Sequence, residues 1–457
     1  MSNPIKTTHA DDEPLGIRLW ALAEGWAKYR STPAAPFWWR AAPPMVGPWP
    51  APAKKADVVV IGAGFTGLSA ALVLARAGRH VVLVDAGAPG FGASTRNGGQ
   101  VGSGNQKFPV KSLIQMKGER KAVELLREGI EMLDGLEALI RRESIECSFT
   151  RCGRFRGAMR PKHYERMARE MEDVRRYVGV ESCMITRSEQ RSEIGSNLFH
   201  GGSLLPNDAC LHPGKYHAGL LERVIQAGVA VRGDAPVLGI TSGRTEHTVH
   251  FDGFTIQARD VLVATNGYTK NVGAYFKKRI VPIRSAQIAT ETIPTQLFEQ
   301  LMPRRRVYGN SNRVFFYFRP APDENRLIWG GRANHFTGDT ALAAYSHLAR
   351  DVLRTFPELR NVRVSYAWSG LIGYTFDEFP HLGRTAEGIH YAMGYCGTGV
   401  SRSTHFGRKI ALRMLGDKEG RSAFDELTFP SHMFHAVARP AIPAIEAWYR
   451  TRDFTGL

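Results

Sequence analysis

Between two short apolar runs, at 58–61 and 81–84, the chain carries Gly62-Ala63-Gly64-Phe65-Thr66-Gly67. Few folds are compatible with that spacing. The first run, Val58-Val59-Val60-Ile61, is continuous and β-branched, as a parallel strand buried on both faces requires. In a GxGxxG turn the first glycine makes the bend and the second lets backbone approach a pyrophosphate. The third lets the next helix pack closely on the strand. A helix is expected over 67–78, stopped by Gly78. Its N-terminus offers unpaired N–H groups and a positive dipole end to an anion. Asp85 closes the second run about twenty residues after the turn, where a carboxylate can accept hydrogen bonds from ribose hydroxyls. The unit reads as strand–turn–helix–strand, a right-handed dinucleotide-binding βαβ.

The periodicity beyond it is mixed. Helices are expected at 19–29, 111–142, 161–178 and 214–227, and a last one running to 415. Strand-like stretches fall at 149–155, 229–232, 237–241, 248–251, 254–258, 261–264 and 389–393. From 277 to 366 the pattern turns antiparallel and aromatic, with strands at 314–319 and 327–330. The expected class is α/β with mixed α+β character: a Rossmann-like nucleotide domain interleaved with a mixed or antiparallel substrate sheet. The nucleotide domain takes 57–145, 206–270 and 368–430, and the substrate domain 146–205 and 271–367. Residues 1–56 form a Pro- and Trp-rich arm docked on the body, and 431–457 a tail.

Composition narrows the class. Hydrophobic residues make up 43% and charged residues 23% of 457, ordinary for a globular chain. Cys147, Cys152, Cys183, Cys210 and Cys396 show no metal-binding spacing and fit a reducing compartment; a cytoplasmic location is expected, with no metal. The uncharged stretch 58–75 approaches membrane-span length, but its glycines fit a strand, turn and buried helix instead. A net charge of +17 is spread over every region, so no specific nucleic-acid partner is expected, although it can steer anions.

Two further segments carry polar chemistry. Gly92-Ala93-Ser94-Thr95-Arg96-Asn97-Gly98-Gly99-Gln100 offers hydroxyl, guanidinium and amide groups suited to phosphates and a polar ring edge. Gly394-Tyr395-Cys396-Gly397-Thr398-Gly399-Val400 leads into a helix whose N–H groups can stabilise negative charge. With ADVVVIGAGFTGLSAALVLARAG, VVLVDAG, GASTRNGGQV and ATNGYT, these segments resemble the D-amino-acid-oxidase and glycine-oxidase superfamily of FAD-dependent amine and amino-acid oxidoreductases. The aromatic arm and GASTRNGGQ are most similar to its gamma-glutamylputrescine oxidoreductase branch.

The resemblance implies FAD as cofactor, with Gly62, Gly64 and Gly67 at the pyrophosphate and Asp85 at the adenosine ribose. It places Ser94, Arg96, Asn97, Gly98, Gly99 and Gln100 beside the phosphates and flavin ring. Val237, in the strand after Arg232, would touch adenine through its backbone, and Ala264-Thr265-Asn266-Gly267 would close the phosphate side. Gly397, Thr398, Gly399 and Val400 would face the flavin pyrimidine. Arg284, Gln287, Tyr317 and Tyr374 are candidates for the substrate wall, with Arg284 able to pair bidentately with a carboxylate.

Two departures from relatives matter. No cysteine lies in Trp368-Ser369-Gly370-Leu371-Ile372-Gly373, where some relatives attach flavin, so the FAD is expected to be non-covalent. No lysine lies in Arg326-Leu327-Ile328-Trp329-Gly330, where some oxidases keep one for oxygen, so the acceptor is oxygen or a quinone or carrier. The expected reaction is hydride loss from the carbon beside a neutral amine, giving an imine that water hydrolyses. A D-amino-acid or sarcosine-type dehydrogenase is the nearest alternative. A nucleic-acid- or membrane-associated flavoprotein rests on charge alone. A nicotinamide-dependent dehydrogenase is disfavoured because nothing after Asp85 resembles a nicotinamide half-site.

Overall fold

A computed structural model describes residues 15–26, 35–102, 107–270, 272–333, 341–432 and 448. Two large sheets organise them. The first runs in the order 239–242, 247–250, 255–263, 55–61, 81–84, 230–232. Strand His390–Met393 also joins 255–263, and His381–Arg384 pairs with it in turn. Strands 55–61, 81–84, 230–232 and 390–393 lie parallel to their neighbours along 255–263 and one another, with Val60 opposite Leu83 and Leu262. Val58, Val59, Val60 and Ile61 are all buried, each worth about 1.5–3 kcal/mol relative to exposure.

Strand Thr255–Val263 is continuous, where the sequence suggested two pieces broken at 259–260. Its first half alternates exposed and buried beside an antiparallel hairpin; its last three residues are buried in the parallel sheet. Arg259 and Asp260 do not interrupt it, because their side chains bond each other at 2.9 Å at the surface while the backbone ladder continues.

Helix Phe65–Arg76 covers this sheet, and Gly78 follows it at φ +80°. Against it packs helix Gly399–Met414, where a Cβ at Gly407 would overlap the Thr66 carbonyl oxygen. The expected helix over 111–142 is two helices, Val110–Lys117 and Glu119–Arg142, because Gly118 sits at φ +78°.

The second sheet has nine strands in the order 17–18, 363–374, 281–290, 327–332, 317–320, 307–310, 154–157, 202–205, 183–185. All neighbours are antiparallel except 307–310 with 154–157. Its core is a stack of rings: Phe318 lies 4.3 Å from Trp329 at 8° and 5.0 Å from Tyr308 at 10°. The expected strand at 314–319 occupies Tyr317–Pro320 instead. The one expected at 149–155 forms only at Arg154–Gly157, since Gly153 at φ +74° breaks it.

Strand Arg363–Tyr374 contains the expected domain boundary at 368 and continues through it in the nine-stranded sheet. The arm contributes the edge strand Ile17–Arg18 and the short helix Leu19–Ala23; the helix expected over 19–29 ends there in a turn at 24–26, and 27–29 lie outside the described residues. Most of the 431–457 tail also lies outside them. Among the described residues no helix is long and apolar enough to cross a membrane.

Candidate active site

The glycine turn leaves strand 55–61 and enters helix 65–76 with no room for side chains. Gly62 lies at φ +107°, and a Cβ there would come 2.9 Å from the Ala264 oxygen. One at Gly64 would come 2.9 Å from Ser94 Oγ, and one at Gly67 would overlap the Gly62 oxygen. Phe65 N–H donates to Ser94 Oγ at 3.0 Å, and Ala63 N–H to Asp85 Oδ2 at 2.8 Å. Burial pushes the Asp85 carboxyl above its ordinary range, while the N–H groups of Gly87 and Ala63 pull it back. His217, from helix Pro213–Gln226, backs the turn with Nε2 at 2.7 Å from the Ala63 oxygen. Burial lowers His217 to about 4, so the ring is neutral and its Nε2–H donates.

The loop from Gly92 to Gln100 is held from three sides. Asn97 Nδ2 donates to the Ala93 and Ser94 oxygens, and its Oδ1 accepts from Gly99 N–H at 2.8 Å. Gly99 lies at φ +65°, where a Cβ would overlap the Leu211 oxygen. Gln100 Nε2 donates to the Phe318 oxygen at 3.3 Å and its Oε1 accepts from Arg154 at 3.2 Å. The N-terminal arm is the second clamp. Trp38 Nε1 donates to the Asn97 oxygen and Trp39 Nε1 to Thr95 Oγ1, both at 2.8 Å. The Arg96 guanidinium lies over both the Trp39 and Phe91 rings, 4.5 Å from each centroid, while the two rings touch each other with centroids 5.7 Å apart. The third is the substrate sheet, from which Gln287 Nε2 and Trp368 Nε1 both donate to the Arg96 oxygen.

The late glycine segment joins the early one. Tyr395 OH lies 2.7 Å from Thr66 Oγ1, and Ser69 Oγ donates to the Thr404 oxygen at 2.7 Å. Asn266, at φ +44°, accepts from Gly394 N–H at 2.9 Å. Its neighbour Thr265 bonds Thr269 side chain to side chain at 2.6 Å. Cys396 N–H donates to the Gly373 oxygen at 3.0 Å, and Gly397 follows at φ +93°. Thr398 precedes helix 399–414 and its hydroxyl donates back to the Tyr395 oxygen at 3.0 Å; the first turn of the helix holds Gly399, Val400 and the buried Arg402. Val237 differs from expectation: it lies in no strand, and the strand expected at 237–241 begins at Gly239. Residues 233–238 instead turn out of the sheet after Arg232, with Asp234 at φ +51° and Val237 packed in an apolar cluster.

Two of the four substrate candidates meet on one patch. Gln287 and Tyr317 both sit opposite Gly330 in the ladder, and a Cβ at Gly98 would come 3.0 Å from Tyr317 and 3.7 Å from Gln287 Oε1. That Oε1 is buried and has no hydrogen-bond partner. Burial raises the Tyr317 phenol, whose oxygen lies 3.3 Å from Ser285 Oγ. Tyr374 stands at the end of its strand, accepting from Arg332 at 2.9 Å, and its oxygen is 3.8 Å from where a Gly397 Cβ would sit. Arg284 lies on the strand of Gln287, paired with Leu371. Sequence reasoning took Trp38 and Trp39 only as part of a docking arm, and missed His217, Arg332 and Lys107, whose ammonium lies 4.6 Å from the Tyr374 centroid. None of these sits in a motif; each arrives from a distant segment.

A glycine turn at a helix start, an acidic residue directly after the next strand and a second helix start packed alongside define a dinucleotide-binding fold. A family model described as FAD dependent oxidoreductase matches residues 57–413. A probable oxidoreductase OrdL of Haemophilus influenzae is 31% identical over 83% of this chain and 87% of its own. A gamma-glutamylputrescine oxidoreductase of Escherichia coli is 31% identical over 88% of this chain and 93% of its own. A solved glycine oxidase from Geobacillus kaustophilus superposes with a TM-score of 0.68 at 20% identity, covering 83% of this chain and 99% of its own. The chain belongs to the FAD-dependent oxidoreductase family of D-amino-acid-oxidase type.

The residues fit FAD. The turn at Gly62, Gly64 and Gly67 is a cradle that Cβ atoms would fill, at the start of helix 65–76, with the Asp85 carboxylate anchored beside it by the Ala63 N–H. Gln287 Oε1 beside Gly98 is an acceptor left over at the far end of the loop.

Proposed function

We propose that the protein oxidises the carbon–nitrogen bond of a small amine or amino acid, in the manner of a gamma-glutamylputrescine oxidoreductase. The reading rests on the patch where Gln287 and Tyr317 press on Gly98, because it sets polar substrate-sheet groups against the loop that the family resemblance assigns to the flavin. FAD, when bound, supplies the two-electron acceptor for the hydride leaving the carbon beside nitrogen. The chain's own residues bind and orient. Gln287 Oε1 is free to accept an amine N–H, and a neutral amine needs no dedicated base. Arg332, gathered at Tyr374 with Lys107, supplies positive charge for a substrate carboxylate or other anionic end, while the Lys107 ammonium is itself paired with Glu378. Water then hydrolyses the imine.

FAD is held without a covalent bond in this reading. Strand 363–374 carries no cysteine, and the Cys396 thiol is buried against Thr375 and the Gly394 oxygen. Oxygen or a quinone or carrier takes the electrons; strand Leu327–Arg332 contains no lysine, which favours the dehydrogenase form as the second reading.

The test is anaerobic bleaching of the flavin absorption by a panel of γ-glutamyl amines, diamines, and D- and N-methyl amino acids. Bleaching by the γ-glutamyl amines supports the branch, and bleaching by other members keeps only the reaction class. No bleaching by any member defeats both. Peroxide release on readmitting air separates oxidase from dehydrogenase, and release of all flavin by acid checks the non-covalent attachment.

A further inference from the structure

Two of the five cysteines stand apart from the catalytic argument and next to each other. Cys152 precedes strand 154–157 and is half-buried; Cys210 is buried in the short strand Ala209–Cys210. Their sulfurs are 3.4 Å apart, with the Cys152 thiol donating to Cys210. The backbone fixes both. Thr150 and Cys210 exchange two hydrogen bonds of 2.9 Å, and Arg306 donates to the Cys152 oxygen at 3.0 Å. A disulfide bond of about 2.05 Å needs the sulfurs to approach by roughly a further 1.3 Å, within reach of side-chain rotation.

We infer that Cys152 and Cys210 form a dithiol that hydrogen peroxide converts into a disulfide. The link would join the entry to the nine-stranded sheet with the ribbon behind the flavin-side loop, because Cys210 pairs with Gln100 and Ala209 with Val101. The surroundings select Cys210 as the attacking sulfur. Cys210 accepts the Cys152 hydrogen bond, and this bond with the Arg319 and Arg154 cations favours its thiolate, while the same hydrogen bond and, after it, burial keep the Cys152 thiol protonated. At the other three thiols burial outweighs the nearby cations: it pushes Cys147 up to about 12 and also raises Cys183 and Cys396.

The chemistry balances. The Cys210 thiolate attacks one peroxide oxygen, the O–O bond breaks, and hydroxide leaves as Cys210 becomes a sulfenic acid. Cys152 sulfur then attacks Cys210 sulfur, the S–O bond breaks, and the departing oxygen leaves as water. Both thiols are oxidised and the peroxide is reduced: two thiols and one peroxide give one disulfide and two waters. The bond would close a loop between positions 58 residues apart.

The experiment is peptide mass spectrometry of the full FAD-loaded chain, exposed to peroxide and then alkylated under denaturing conditions. Peptides holding Cys152 and Cys210 should appear cross-linked, two hydrogens lighter than their sum, and revert with dithiothreitol, while Cys147, Cys183 and Cys396 stay alkylated. In Cys152→Ser, Cys210 should instead be trapped by dimedone as the sulfenic acid; in Cys210→Ser, Cys152 should stay unmodified. Alkylation of both cysteines in the wild-type chain, or conversion of either to a sulfinic acid without cross-link, overturns the inference. A cross-link through exposed Cys183 does the same. The wild-type result stands whether or not the variants fold, and it does not depend on the substrate assignment.

Discussion

The two ends of the site are built in different ways. At the nucleotide end, closeness comes from backbone: Gly62, Gly64 and Gly67 lie within six residues, and their contacts are to carbonyl oxygens and one serine hydroxyl. At the substrate end, closeness comes from side chains that strands 281–290, 317–320, 327–332 and 363–374 each bring from elsewhere. A local backbone motif tolerates almost no substitution and reads directly from sequence. A wall assembled from separate strands can change one residue at a time, which is how one fold serves many substrates.

If that contrast holds, the sharpest losses come from the turn. Gly67→Ala places a Cβ on the Gly62 oxygen, and neither helix 65–76 nor strand 55–61 can move without disturbing the buried contact with helix 399–414. FAD affinity measured by flavin fluorescence should fall about 100-fold or more, roughly 2.7 kcal/mol. The control is Gly135→Ala in helix 119–142, where nothing lies within 4 Å; it should leave FAD affinity unchanged and stabilise the fold by about 0.5–1 kcal/mol. Equal losses from both would erase the distinction between cradle and ordinary glycine.

Asp85→Asn should follow, at about 10- to 100-fold in FAD affinity, the worth of hydrogen bonds to a charged acceptor. The pH signature is opposite for two observables. Because burial raises the folded-state pKa, the apo protein gains stability from this group as pH falls through that value and loses it as pH rises. If Asp85 holds the ribose as the family resemblance implies, binding needs the carboxylate, so FAD affinity should weaken over the same fall in pH. Subtracting the Asp85→Asn profile from the wild-type one isolates both slopes. Slopes of the same sign would mean that Asp85 serves the turn through Ala63 alone.

How much of this was legible follows from the same contrast. The strand–turn–helix–strand unit, Asp85 and the late helix start could be read because each requirement lies within a few residues. Asn97 was legible as polar, but not as the brace of its own loop. Trp38 and Trp39 read only as a docking arm, since their partners Asn97 and Thr95 lie 59 and 56 positions away. His217 sits 154 positions from the carbonyl it supports, and no pattern announces it. Strand 255–263 misled in the other direction: its Arg259-Asp260 pair looks like a break, yet the ladder bonds are made by backbone. The strand expected at 237–241 begins only at Gly239, because the chain turns at Asp234 after Arg232.

The arm lies between the two kinds of construction, and Trp39→Ala measures it. The change removes the bond to Thr95 and one of the two rings under Arg96, together about 1–2 kcal/mol. FAD affinity should drop roughly 5- to 30-fold, with Arg96→Lys reproducing much of the loss because an ammonium lacks the planar guanidinium that stacks on aromatic faces. Unchanged affinity in both variants would reduce the arm to a cover.

The smallest expected effect belongs to the substrate wall. Tyr374→Phe keeps the ring beside Arg332 and Lys107 but removes the oxygen that accepts from Arg332. One hydrogen bond to a charged group on a half-buried wall is worth about 1 kcal/mol, so KM for the best substrate should shift by roughly five-fold. FAD affinity and the visible flavin spectrum should not move, because Tyr374 touches none of the backbone that forms the cradle. The direction of the KM shift is informative. A lower KM for substrates with an anionic end would show that Tyr374 competes with them for the Arg332 guanidinium. A higher one would show that it holds that guanidinium in place. If FAD affinity fell together with KM, the two ends would not be separable, and the contrast between a backbone-built cradle and a side-chain-built wall would fail at the residue closest to both.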